Sequence, residues 1–412
     1  MIIIHAVNGL QILPRALGSA LDLALRSFPV VVVTGSRQTG KSTLVRAVDE
    51  RPYLTLDNLE VLERARQQPD ALVRNADRLI LDEVQRSPDL LLAVKTAVDE
   101  RRVPGRFLLT GSANLLLMQK ISESLAGRAL YLTLWPLTRR EQLGLGQTGA
   151  WSRLFDAPDK DWKDLLLREE APAEDWRQLA LRGGYPGPAL ELPDAETRLL
   201  WFDGYTRTYL ERDLQDLSTV TSLVDFRRLM RAACLRLGGL INQTELGRDV
   251  GLPQPTVHRH LSLLETSYQL VRVPPFSVNR TQRLIKAPKL YWCDSGLALH
   301  LAGESEPRGA HLENLVLSDL LAWRDTQVPR PEILHWRTTA GKEVDFVIEW
   351  RGRLLPVEVK ASDKPRLTDA RALTLFRSEY PDLARTGLLL HTGPEIEWIA
   401  DGVLAAPWWR VI

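Results

Sequence analysis

Four consecutive valines, Val30–Val33, run through Thr34 into the octet GSRQTGKS, Gly35–Ser42. The octet satisfies G-x-x-x-x-G-K-S/T, and it stands between a strand-like apolar run and the helical pattern KSTLVRAV. A loop of this kind needs a buried parallel strand to deliver it and a helix N-terminus whose N–H groups face an anion. The surrounding chain must therefore be a layered α/β unit. The rest of residues 29–134 agrees: YLTLD, RLILDEV, RFLLTGS and RALYLTLWPL read as strands, and PDLLLAVKTAVDE has helical period. This alternation predicts a mostly parallel sheet with helices on both faces.

The glycines let the backbone curl so that successive N–H groups face phosphate oxygens, and Gly35, Ser36, Arg37, Gln38, Thr39, Gly40, Lys41, Ser42 and Thr43 are the expected ATP-binding set. Lys41 would hold the β- and γ-phosphates, and Ser42 would ligate Mg2+. RLILDEV ends on Asp82 and Glu83, one carboxylate for the Mg2+ shell and a second to polarise an attacking water. The pair favours hydrolysis over nucleotide storage. LLTGSAN ends a third strand in polar residues, so a sensor of the γ-phosphate is expected among Thr110, Ser112 and Asn114. Arg128, in SLAGRAL, is a candidate for stabilising the transferred charge, in cis or from a neighbouring subunit of a homo-oligomer. On the other reading it is a solvated arginine beside a strand.

At 412 residues the chain exceeds one ordinary core, so two or three domains are expected. A hydrophobic share of 44%, a charged share of 25% and mean hydropathy of -0.16 are those of a soluble globular protein. No apolar run approaches the ~18 residues of a membrane span, so no membrane partner is expected. The start, MIIIHAVNGLQILPRAL, lacks a basic n-region and a small-residue cleavage site, and is not read as a signal peptide. Cys234 and Cys293 are the only cysteines and show no C-x-x-C spacing, which fits a reducing, cytoplasmic setting. The formal net charge of +1 neither demands nor excludes nucleic acid. No histidine pair has the spacing of a zinc site.

From Thr138 to about Val220 the pattern is helical, broken by the turn RGGYPGP at Arg182–Pro188. Then NQTELGRDVGLPQPTVHRHLSLLE reads as a helix-turn-helix, with Asn242 as N-cap, the turn near Gly251–Pro253 and a second helix starting near Pro255. Leu246, Val250, Val257, Leu261 and Leu264 would form its core, leaving Gln254, Thr256, His258, Arg259 and His260 near the exposed start of the second helix. The extended VRVPPF that follows would be a wing. Nearer the C-terminus, EVDFVIEWRGRLLPVEVK, Glu343–Lys360, reads as a hairpin turning at Arg351-Gly352-Arg353. Asp345, Glu358 and Lys360 interrupt its apolar arms, and Glu358 and Lys360, two apart, share a face.

With the phosphate loop, LDEVQ, LTGSAN, LAGR, GGYP, YLERDL (Tyr209–Leu214) and the terminal acid and E-x-K set in this order, the chain resembles the prokaryotic AAA-type ATPases that carry a C-terminal domain of unknown function with a restriction-endonuclease-like fold. The resemblance covers nearly the whole length. It implies an α/β multidomain protein: a parallel-sheet phosphate-loop ATPase core over residues 1–137, a helical lid and connector over 138–222, a winged helix-turn-helix over 223–278 and a restriction-endonuclease-like domain over 279–412. No chemistry attaches to GGYP or YLERDL. The resembling fold places a further acid at Glu313, and a second Mg2+ or a Mn2+ would take Glu313, Asp345, Glu358 and the Val359 carbonyl, with Lys360 beside the attacking water. A Glu358–Lys360 or Asp345–Lys360 ion pair is the plain structural alternative.

Two functions accommodate these motifs. One is an ATP-hydrolysing machine acting on DNA or RNA through the winged helix and a nuclease-like domain. The other is an ATP-controlled regulatory switch that binds a protein partner and cleaves nothing.

Overall fold

A computed structural model describes residues 6–7, 10–74, 76–111, 125–169, 171–210 and 222–412. A short antiparallel pair, β1 (Ala6–Val7) and β2 (Leu10–Gln11), precedes the helix Leu17–Ser27. The next sheet holds β3 (Val30–Thr34), β4 (Tyr53–Thr55), β5 (Leu79–Asp82), β6 (Phe107–Thr110) and β7 (Ala129–Thr133), in the order β4-β5-β6-β3-β7, with all four neighbouring pairs parallel. Val31 and Val33 join Leu17, Leu21 and Val45 on one face. Val30 and Val32 join Leu81, Val94 and Leu109 on the other. Burial on both faces is why β3 is an unbroken valine run rather than an alternating one.

Helices Trp151–Asp156, Trp162–Leu167, Trp176–Arg182 and Ala195–Tyr205 follow. Then come Leu223–Leu235, Gln243–Val250 and Gln254–Thr266, the expected helix-turn-helix set. The Asn242 side chain accepts the N–H groups of Thr244 and Glu245, and Gly251 closes the same helix at φ 70°. Leu246, Val250, Val257, Leu261 and Leu264 are all buried, as the pattern predicts. His260 is not at the exposed start of the second helix. Its position in the helix turns it inward, where it is buried edge-on to Phe226 at 5.2 Å, and burial lowers its pKa. Beyond the helices, β8 (Leu270–Val273) pairs antiparallel with β9 (Lys289–Trp292), a strand that begins past residue 278.

The C-terminal sheet is mixed: β10 (Glu332–Arg337), β11 (Glu343–Trp350), β12 (Arg353–Val359), β13 (Gly387–His391), β14 (Glu397–Ala400) and β15 (Val403–Pro407), ordered β10-β11-β12-β13-β15-β14. β12, β13 and β15 run parallel, and the remaining neighbours pair antiparallel. One face, with Phe346, Ile348 and Val357, packs into a core shared with Trp151, Leu290 and Trp323. The opposite face, with Val347 and Leu389, takes Leu373 and Phe376 of the helix Arg371–Glu379. The protein is thus α/β, with a five-stranded parallel sheet and a C-terminal mixed sheet, and the shared core ties the latter to the middle helices. Among the described residues no helix is long and apolar enough to cross a membrane.

Candidate nucleotide site and C-terminal acid cluster

β3 delivers the phosphate loop at the C-terminal edge of the parallel sheet. Gly35 has φ 140°, and a Cβ there would lie 2.3 Å from the Leu134 carbonyl oxygen. Gly40, at φ 90°, opens the helix Lys41–Arg46. Both positions therefore need glycine. Lys41 Nζ donates to the carbonyls of Gly35 (3.2 Å) and Ser36 (2.8 Å), and Thr39 Oγ1 donates to Ser36 O at 3.0 Å. Burial pulls the Lys41 ammonium down to about 8, against the opposing pull of Glu83 and Asp82. Gln38 and Thr43 are exposed, and Arg37 is half-buried.

The carboxylate of Asp82 collects three hydroxyl donors. Ser42 Oγ reaches its two oxygens at 3.1 and 3.0 Å, and Tyr53 and Thr110 donate as well. Glu83 sits in the left-handed region at φ 59°, its N–H donating to Thr110 Oγ1 at 3.2 Å and its side chain accepting from Gln85. A non-glycine residue held there stores about 1–3 kcal/mol of strain, which is common where a side chain must be aimed. The curled backbone, the Ser42–Asp82 oxygen pair and the ammonium at the loop fit a Mg-nucleotide, with Ser42 and Asp82 as the residues that would hold Mg2+. Bound there, the ion would neutralise phosphate charge.

Sequence reasoning missed Arg15. Its guanidinium donates to Thr39 O (2.8 Å) and Trp135 O (2.6 Å) and pairs with Glu141 at 3.0 Å, pinning the loop from outside. Nothing in LPRAL announces this. Thr110 is at the site, whereas Ser112, Asn114 and most of YLERDL lie outside the described residues. Arg128 is not beside the phosphates of its own chain. Its carbonyl accepts the N–H of Val30, the first residue of β3, so it stands at the far edge of the sheet, roughly 15 Å from the loop at ~3.3 Å per residue. There its guanidinium pairs with Asp99 at 2.6 Å.

The GGYP motif closes over the loop. Gly183 and Gly184 bring the backbone against Asp294, which accepts the Gly184 N–H at 2.6 Å. A Cβ at Gly183 would meet Asp294 Oδ1 at 2.5 Å, and one at Gly184 would meet Leu137 O at 2.4 Å. Tyr185 is fully buried, with its hydroxyl 3.4 Å from Ser36 Oγ in the phosphate loop.

In the C-terminal domain the expected hairpin forms, with Arg351 and Gly352 as a two-residue turn at φ 48° and 71°. A bulge sets Asp345 and Phe346 opposite the single residue His335, which turns the Asp345 carboxylate toward β9. Glu313, on the helix Gly309–Thr326, and Glu343 converge on the same place. At its centre is the buried ammonium of Lys289, 2.5 Å from Glu343, 2.9 Å from Asp345 and 3.6 Å from Glu313. Burial alone would lower the Lys289 pKa, but Asp345, Glu313 and Glu343 together raise it, so the group stays charged. Asp345 also accepts the Val359 N–H at 2.9 Å, and Tyr291 donates to Glu313 at 2.7 Å. Lys360 is paired with Glu358 at 2.5 Å. Burial, reinforced by the charge of Asp345, pushes both the Glu313 and Glu358 carboxyls up.

Of the expected metal set, Glu313 and Asp345 thus share the Lys289 ammonium, while Glu358 pairs with Lys360. Among the described residues no group of three or more His, Cys, Asp or Glu is placed to hold a metal ion. Sequence reasoning missed Lys289, which reads as one polar residue at the edge of the core strand KLYW.

Residues 27–143 match the AAA domain, 173–308 the domain of unknown function DUF8612, and 308–411 the domain of unknown function DUF4143. Two relatives, the uncharacterized proteins Mb2031c of Mycobacterium bovis and Rv2008c of Mycobacterium tuberculosis, are each 31% identical over 404 residues, covering 95% of this chain and 83% of theirs. The chain belongs to their family. A solved structure, the Walker-type ATPase PABY2304 of Pyrococcus abyssi, is 18% identical, covers 69% of this chain and 94% of that one, and has a TM-score of 0.43. This chain thus joins an AAA-family ATPase domain to two domains of unknown function.

Proposed function

We propose that the chain is an ATP-controlled switch. The AAA domain hydrolyses ATP with Mg2+, while the winged helix and C-terminal domain hold a protein partner and cut no phosphodiester. One observation carries this reading: the Lys289 ammonium lodged among Glu313, Glu343 and Asp345. A cleaving site of the expected kind needs acids free to hold a divalent ion and a lysine free to face water. Here the acids hold a cation supplied by the chain, and Lys360 is committed to Glu358. Turnover in the first domain rests on Lys41, Ser42 and Asp82 as phosphate and Mg2+ holders and on Glu83 as the base that polarises water.

The nucleic-acid reading keeps some support, because Gln254, His258 and Arg259 are exposed along the second helix of the helix-turn-helix. A single arginine supplies little of the phosphate neutralisation such binding needs.

The test is incubation of the purified protein with single- and double-stranded DNA and RNA, with Mg2+ or Mn2+, with and without ATP. Lys41→Ala, Glu83→Gln, Arg128→Ala and Lys360→Ala are run beside it. ATP should be hydrolysed and no strand cut. Lys41→Ala should lose nucleotide binding, and Glu83→Gln should bind without turning over. Cleavage that disappears in Lys360→Ala would overturn the switch reading in favour of a nuclease. Normal turnover in both Lys41→Ala and Glu83→Gln would overturn the ATPase assignment. Turnover lost in Arg128→Ala, with an assembly larger than one chain on gel filtration, would give Arg128 a role in trans in a homo-oligomer.

A further inference from the structure

Behind the phosphate loop lies a buried polar cluster that the ATPase assignment does not use. The Tyr185 hydroxyl is within 3.4 Å of Ser36 Oγ, 3.1 Å of Tyr205 OH, 3.4 Å of Gln269 Oε1 and 3.4 Å of Cys293 Sγ. Tyr205 OH in turn donates to the Arg37 carbonyl at 3.4 Å and accepts from Gln269 Nε2 at 3.2 Å. Gln269 and Cys293 sit where the wing's two-stranded ladder ends, with the Cys293 N–H donating to the Gln269 carbonyl at 2.9 Å. Next to them, Asp294 holds Gly184. One hydroxyl thus touches the nucleotide loop, the connector and the residues that flank both strands of the wing.

We propose that Tyr185 is a positioning residue that couples the phosphate loop to the wing by a choice of hydrogen-bond acceptor. A phenol has a single proton and several acceptors in reach, so it can serve Ser36 or Gln269 but not both. When phosphate occupies the loop, the loop's N–H and hydroxyl donors turn to its oxygens. A Ser36 hydroxyl that donates to phosphate becomes the better acceptor, because chained hydrogen bonds polarise one another. The Tyr185 proton then goes to Ser36, and Gln269 closes onto Cys293 and Tyr205. Without phosphate the proton is available to Gln269, and the end of the wing ladder is held from the connector instead. This inference rests on the nucleotide-binding part of the switch reading and gives that switch its route.

The two cysteines provide the test, since both are buried and free, and Cys234 lies on the helix Leu223–Leu235 rather than among the hydroxyls around Tyr185. The full-length protein is alkylated with N-ethylmaleimide, with and without Mg2+ and a non-hydrolysable ATP analogue, and the two cysteines are followed separately by peptide mass spectrometry. Binding of the analogue is measured in parallel. General stabilisation protects both thiols alike, whereas the proposed coupling protects Cys293 beyond Cys234, by about fivefold for one hydrogen bond redirected. In Tyr185→Phe, which keeps the ring against Tyr205 and Trp201, the analogue should still bind and that excess should vanish. Tyr205→Phe reads the same coupling from the other hydroxyl if Tyr185→Phe does not fold. Equal protection of the two cysteines with nucleotide bound, or an excess that survives Tyr185→Phe, overturns the coupling. Failure of the unsubstituted protein to bind the analogue instead overturns the nucleotide reading on which it rests.

Discussion

Two buried lysines sit at the centres of the two candidate sites. Lys41, pulled down to about 8 by burial, is the ammonium a triphosphate would meet. Phosphate favours its charged form, so binding takes up a proton wherever the free protein has lost one. Affinity is therefore complete below pH 8 and falls as pH rises past it, with the ATP dissociation constant rising about tenfold from pH 7 to pH 9. Calorimetric titration across that range checks this, beside Lys41→Arg, which should bind less well but without the pH dependence. A flat profile in the unsubstituted protein would sink it. Lys289 is the counterpart in the C-terminal domain. Lys289→Met strands Glu313, Glu343 and Asp345 without their cation and should cost about 3–5 kcal/mol in urea unfolding, part of it recovered by adding Asp345→Asn. Lys41 could be read from eight adjacent letters. Lys289 could not, because its partner Asp345 is 56 residues away and only the packing of β9 on β11 joins them.

Elements were legible where the physics is local. The valine run of β3, the Asn242 cap, the proline at the start of the next helix and the Arg351-Gly352 turn each carry their own signal. Pairing across the chain carries none, which is why the partner of β8 emerged only with the fold. GGYP is the sharpest case, since its glycines make sense only against Asp294 and Leu137, which the sequence does not place beside them. Gly183 has φ 70° and ψ -162°, backbone open essentially to glycine alone. Gly183→Ala should cost at least about 1–3 kcal/mol in strain, before the contact with Asp294 is counted. Thermal unfolding should show a clear drop in Tm, and adding Asp294→Ala should recover the contact but not the strain. An unchanged Tm in Gly183→Ala would mean that the connector does not depend on this close approach.

At the scale of the whole molecule, the distribution of tryptophan offers a direct reading of how far nucleotide is felt. All twelve tryptophans lie at position 135 or beyond, so none is in the sheet that carries the phosphate loop. Of the twelve, Trp135 alone lies within the AAA match, so intrinsic tryptophan emission reports chiefly on the connector, the wing and the C-terminal domain. Trp201 stacks on Tyr205 at 5.1 Å and lies 5.4 Å from Tyr185, while Trp135 packs edge-on to Tyr268, whose hydroxyl meets Thr34 at 2.9 Å. The large core shared by the connector, wing and C-terminal sheet should make these parts unfold together. If the AAA domain is locked to them, Mg-ATP at 100 times its dissociation constant should stabilise the tryptophan-monitored transition by about 2.7 kcal/mol, and it should remain a single transition. Titration with a non-hydrolysable analogue should also change the emission of the folded protein, with most of the change lost in Trp201→Phe. If nucleotide binds but leaves both emission and the tryptophan transition unmoved, the AAA domain unfolds on its own and the ATP state stays within it.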